Sequence, residues 1–195
     1  MKALTPETIE SGRRKILSNA SQLIEEAELL LKAGHNARAY ALACLASEEL
    51  AKIPMLVRAS ASSLCDIEFD WDELERKLKS HYRKLEGILG IDFLFASAKI
   101  DIKLLMEDWE RIPSYNRMKN WSIYVSCVKG EFVEPADVIT KPLAAAMVKL
   151  AQNRLTAFNK MEKAYDGWLE RIQKNPGLLS EIKASLGDLL DKRRK

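Results

Sequence analysis

A chain of 195 residues that is 47% hydrophobic and 30% charged reads as one globular domain, or one domain with a helical extension. No apolar run approaches the roughly 20 residues that a membrane span needs, and no apolar core follows Met1-Lys2, so neither a membrane protein nor a secretory leader is expected. A formal net charge of +3 permits contact with RNA or an acidic partner without arguing for either. With 8 Gly and 6 Pro against abundant Leu, Ala, Lys and Glu, the composition favours helix. Cys44, Cys65 and Cys127 lie far apart, the pattern of free buried thiols in a reducing cytoplasm.

Thr5-Pro6-Glu7 reads as a helix start. Thr5 can cap, proline suits the first helical position, and Glu7 favours the positive end of the helix dipole. The helix is expected to run to Lys32 with Ile9, Ile16, Ala20, Leu23, Ala27 and Leu30 as its apolar stripe, and Gly34 stops it. From His35 to Ile53 the chain is almost unbroken apolar residues up to Ser47, with Arg38 the single charge before it turns polar at Ser47, Glu48, Glu49 and Lys52. Such a helix has no solvent face and belongs at the centre of a bundle. The short turn before it makes it an antiparallel neighbour of the first helix. Pro54 predicts a kink, with Met55, Leu56 and Val57 continuing beyond it.

Ser60 to Phe69 reads as a linker. Asp70-Trp71-Asp72-Glu73 resembles a capping box and opens a third helix that carries Leu74, Leu78, His81, Leu85 and Ile88 on one face, until Gly90 interrupts it. A fourth helical segment from Asp92 to about Arg111 is expected to turn Phe95, Ile102 and Leu105 inward. Pro113 to Pro135 is the least regular part, with Ile123-Tyr124-Val125 extended in character. Long loops inside a compact domain are often functional. A long helix from Asp137 or Thr140 to Lys174 follows, stopped by Asn175-Pro176-Gly177. A short amphipathic helix then ends in Asp191-Lys192-Arg193-Arg194-Lys195. The division is a bundle over 1–175 and a helix with basic tail over 176–195.

There is no phosphate-binding loop and no glycine-rich strand-to-helix turn, so nucleotide-fold chemistry is not expected. A di-iron bundle needs Glu-x-x-His pairs, and neither His35 nor His81 follows a Glu at that spacing. Two histidines and three scattered cysteines provide no metal ligand set, and no cofactor is expected. Chemistry must come from other polar residues. Glu48 and Glu49 both lie within one turn of Lys52. They form either exposed ion pairs or a partly buried cluster, because Arg38, Leu42, Leu45, Glu49 and Lys52 share a mostly apolar face. His81 is either a satisfied core histidine or the partner of that cluster, with Lys84 one turn on. Imidazole is the side chain best suited to proton transfer near neutral pH. Arg117, Lys119, Asn120 and Tyr124 form either a solvated loop or a place where cations hold phosphate and Tyr124 stacks on a base.

Ala37-Arg38-Ala39-Tyr40-Ala41-Leu42-Ala43, followed by Ser47-Glu48-Glu49-Leu50-Ala51-Lys52, resembles the second helix of HEPN-superfamily proteins. His81-Tyr82-Arg83-Lys84 resembles a His-x-x-Lys element. Lys119-Asn120-Trp121-Ser122-Ile123-Tyr124-Val125, with Pro135 downstream, resembles a Leu-Tyr-Val segment. In this order they are similar to the AbiV type of abortive-infection protein. The resemblance implies an all-α, HEPN-like antiparallel helical bundle with a short C-terminal helical extension, a homodimer in the cytoplasm. It also implies a part in bacterial defence against phage, acting on RNA or translation. Many HEPN proteins are metal-independent endoribonucleases that use an Arg, four to six residues, then a His. Arg117 is followed by no such His, the aligned place offering Ser122 or Tyr124; Arg76 and His81 have the spacing but stand about 140° apart on one helix.

For cleavage, His81 would carry the proton, Arg117 would bind phosphate and Tyr124 would position the substrate. Glu48, Glu49, Lys52, Lys84, Lys119 and Asn120 would bind it or set the local electrostatics. The alternative is a non-catalytic dimeric module that binds a phage or host protein.

Overall fold

The computed structural model describes residues 2–65, 67–84, 86, 87, 112–165, 167–175, 177, 180, 181 and 184. Helix α1 spans Pro6–Lys32, with the Thr5 hydroxyl accepting from the Thr8 N–H at 3.2 Å. At its other end Gly34 takes φ +84°, which lets the His35 N–H reach the Leu30 carbonyl (2.8 Å) and the Gly34 N–H reach that of Leu31 (3.2 Å). Both carbonyls would otherwise be orphaned. Open space surrounds the Gly34 Cα, so Gly34→Ala tests the backbone alone. A drop of about 1–2 kcal/mol in unfolding free energy, read from the urea midpoint, is the expected result.

Helix α2 (Asn36–Leu50) is the centre of the bundle and packs along α1 and along a late helix, α7 (Lys141–Tyr165). Its alanines explain the closeness: Ala39, Ala43 and Ala46 are fully buried, as are Ala20 and Ala27 of α1 and Ala144 and Ala151 of α7. The outer side of α2 is the row of exposed Arg38 and partly buried Leu42, Leu45 and Glu49, with partly buried Lys52 beyond it. That row is partly buried, as its apolar character suggests; the fully buried row runs Ala37, Tyr40, Cys44 and Glu48.

Pro54 acts one turn earlier than its position suggests. It has no N–H to give the Leu50 carbonyl, and its ring crowds that group. The chain resets at Ala51, and α3 (Lys52–Leu64) begins with Pro54 in its first turn, where a missing N–H costs little. The expected kink is a one-residue interruption at Ala51, whose dihedrals stay in the right-handed helical region (φ −61°, ψ −17°). The expected linker is also shorter, because α3 continues to Leu64 with Ala59 and Ser60 buried.

Helix α4 (Trp71–Lys79) starts as the capping box predicts, with Asp70 Oδ1 accepting from the Glu73 N–H at 2.7 Å. It does not run through His81. Ser80 is extended (φ −82°, ψ 115°), and its hydroxyl accepts from the Arg83 N–H at 3.3 Å to start a new helical turn over 81–84. His81 opens that turn and is not one more residue on the α4 stripe. Leu85, Ile88, Gly90 and the segment Asp92 to Arg111 lie outside the described residues.

The segment expected to be irregular contains α5 (Ile112–Trp121), which carries Arg117, Lys119 and Asn120. A hairpin follows, β1 (Ser126–Val128) paired antiparallel with β2 (Glu131–Val133), Cys127 opposite Phe132. The Lys129-Gly130 turn has both residues at positive φ (53° and 87°), the two-residue turn whose twist matches paired strands. Extended structure thus begins after Ile123-Tyr124-Val125. Cys127 is exposed here, unlike Cys44 and Cys65, which corrects the expectation of three buried thiols; all three are free. A short α6 (Pro135–Val138) leads into α7. The late helix ends at Tyr165, and α8 (Trp168–Lys174) restarts after Gly167 at φ +69°, so the expected single helix to Lys174 is two.

The protein is an all-α bundle with one small hairpin. No helix among the described residues is long and apolar enough to cross a membrane. Buried Arg13 of α1 pairs with Glu162 of α7, tying the two outer helices together.

Candidate functional site

Glu48 lies in the buried row of α2, one turn beyond Cys44, and is 2% exposed. A carboxylate there needs partners, and two other segments supply them. Lys119 Nζ of α5 donates to Oε1 at 2.5 Å. His81 Nδ1 lies 2.5 Å from Oε2, and Lys84 Nζ, from the same helical turn, approaches Oε2 at 3.4 Å. Lys119 Nζ is also 3.2 Å from His81 Nδ1. Lys84 and Lys119 are buried, while the His81 side chain is 55% exposed. The imidazole thus forms the opening of an otherwise covered charge cluster.

Burial pushes the Glu48 carboxyl up, but the hydrogen bonds from Lys119 and His81, with the charges of both, outweigh it and hold the group below its ordinary value. Beneath it, burial pushes the Cys44 thiol up to about 12, opposed by a hydrogen bond with Tyr40 and reinforced by the Glu48 charge. Burial likewise raises the Tyr40 phenol. Both therefore stay protonated as packing beneath the site.

The contact between Nδ1 and a carboxylate oxygen fixes the imidazole. Nδ1 must carry the proton and donate it, since two facing lone pairs would repel. In the neutral form of the ring Nε2 is then the acceptor, and it has no partner among the described residues. A carboxylate orienting one imidazole nitrogen while the other meets the reactant is the arrangement of a general base. Two ammoniums beside it can stabilise negative charge that develops on a reacting group.

The structure brings Glu48, His81, Lys84 and Lys119 together from three segments. Glu49 and Lys52 pair with each other on the half-exposed side of α2, about 100° round from Glu48, and do not face His81. Arg117 is exposed, with its guanidinium 5.9 Å over the Trp121 ring. Two residues from Lys119 on one helix, it projects about 160° away from the cluster. Asn120 is exposed, and its carbonyl accepts from the Ile123 and Tyr124 N–H groups, so its described role is to end α5. Tyr124 is 63% exposed, beyond that end. Arg76 is exposed on α4 beside Asp70, on the far side of the Ser80 break from His81. The structure thus gathers neither Arg117 nor Tyr124 around His81.

Arg154 was not singled out from the sequence. It is buried on α7 in the row Met147, Ala151 and Phe158, close enough for its charge to act on the Cys44 thiol. A charged residue interrupting an apolar row at helical spacing was the available signal. Among the described residues no three His, Cys, Asp or Glu side chains gather as metal ligands.

Residues 8–156 match the HEPN family model described as AbiV. No curated protein and no solved structure matches the chain.

Proposed function

The chain belongs to the AbiV family of HEPN proteins, and from that premise we propose that it is an abortive-infection protein that acts on RNA through the Glu48–His81 cluster. The observation that carries this reading is the half-exposed His81 ring, with Nδ1 2.5 Å from a buried carboxylate and two buried lysines beside it. A ribose 2′-hydroxyl could give its proton to Nε2, while Lys84 and Lys119 stabilise the charge that grows on the neighbouring phosphate. Such chemistry uses this chain's own side chains. The reading includes a homodimer acting in the bacterial cytoplasm against phage.

The test is incubation of the purified chain with total cellular RNA, with products resolved by size and end-group analysis. Fragments ending in cyclic or 3′-phosphate are the expected result. RNA that stays intact with the wild-type protein, under conditions where the fold is verified, overturns the enzymatic reading.

One observation favours a second reading, a non-catalytic dimeric module that binds a phage or host protein. Tyr124, Val125 and Phe132 are 63%, 58% and 82% exposed on and just before the hairpin. Exposed apolar side chains that form a contiguous patch mark contact surfaces more often than isolated ones do. Intact RNA together with lost phage protection in Phe132→Ser would select it.

A further inference from the structure

Among the described residues the charges around Glu48 do not balance. One carboxylate faces the ammoniums of Lys84 and Lys119, each 6% exposed. Lys119 holds Oε1 at 2.5 Å. Lys84 reaches only Oε2, at 3.4 Å, and that oxygen already has His81 at 2.5 Å. An ammonium carries three N–H donors. Among the described residues this contact is the only one made by the Lys84 side chain, and it is long for a charged hydrogen bond. A buried charge without full compensation is strongly unfavourable, and a buried ammonium left so recruits an anion or loses its proton. The exposed ring of His81 marks the way in from solvent.

We infer that Lys84 and Lys119 form a binding site for a single phosphate group beside His81, with Glu48 as an internal competitor for the same ammoniums. The inference rests on this cluster being where the protein meets RNA, and it adds which part of the ligand is held and by what. A phosphate offers several oxygen acceptors in a tetrahedral spread, and one can accept from Lys84 while another approaches Lys119. Glu48 keeps the pocket from carrying two bare ammoniums when it is empty. It also keeps the affinity modest, because a phosphate must share both lysines with it.

That competition gives the test its sign. The full chain is titrated with inorganic phosphate by calorimetry and by thermal unfolding, against chloride at equal ionic strength. Wild type should be stabilised by phosphate beyond chloride. Lys84→Met should bind phosphate about tenfold more weakly or worse, the effect of losing one charged hydrogen-bond donor. Glu48→Gln should gain more from phosphate than wild type does, because both ammoniums then need the anion. Equal midpoints in phosphate and chloride for wild type and Glu48→Gln alike would overturn the inference. So would unchanged phosphate binding in Lys84→Met. Phosphate binding that follows this pattern while RNA stays intact supports the site and overturns only the RNA reading. RNA degradation with no phosphate effect overturns the site alone.

Discussion

Glu48→Ala is expected to lose about 3–5 kcal/mol of unfolding free energy, the usual cost of removing one partner of a buried ion pair. Few other single changes to a polar residue here should cost as much. Among the described residues Glu48 is the acceptor that Lys119, Lys84 and His81 share, so its removal takes the carboxylate from two buried ammoniums. It also releases α5 and the 81–84 turn from α2, because those contacts join the three segments. Glu48→Gln keeps an oxygen that Lys119 can use, and its loss should be smaller.

Denaturant unfolding measures both variants, and pH separates the charge from the packing. The Glu48 carboxyl is held below its ordinary value in the folded protein. Its contribution is therefore complete above the unfolded glutamate value, about 4.3, and is lost as pH falls through the lower folded value. Wild type should lose stability across that acid window, and Glu48→Gln should lose less there. Parallel curves for the two would show that the carboxylate charge is not what holds the segments.

His81→Ala is expected to lower RNA degradation by about 10²–10⁴-fold, the contribution of a positioned proton-transfer group. Arg117→Ala should stay within a few-fold of wild type. The contrast follows from geometry. The His81 side chain is oriented by Glu48 and 55% exposed, whereas Arg117 projects from the other side of α5 over Trp121. Since His81 is half exposed, its loss should leave the fold intact, and circular dichroism and the urea midpoint check that. Initial rates on a defined RNA oligonucleotide then give the comparison. A strong loss in Arg117→Ala with none in His81→Ala would move the site to the exposed side of α5.

Much of the framework was legible along the chain. Thr5-Pro6, Gly34 and Asp70 each set a helix end through groups within a few residues, so local chemistry decided them. The alanine run announced the central helix, because a helix without a polar face can only be surrounded. The motifs around Glu48, His81 and Lys119 also carried the family resemblance, and the match over 8–156 bears it out. Where local reading was off, the place shifted by a few residues: Pro54 acts at Ala51, one turn back, and Ser80 ends α4 before His81.

The site itself depended on rotation and distance. Glu48 and Glu49 are adjacent and chemically alike, and about 100° around α2 separates a buried carboxylate from a half-exposed one. That rotation is set by α1 and α7 packing their alanines against α2 from two sides, which no window of the sequence contains. The partners of Glu48 lie 33 and 71 residues away, at His81 and Lys119. The sequence determined a central apolar helix ending in charge, and which residue types were there to meet it. Only the tertiary structure decided that Glu48 turns inward to His81, Lys84 and Lys119, because burial of one helix face is a property of everything packed around it.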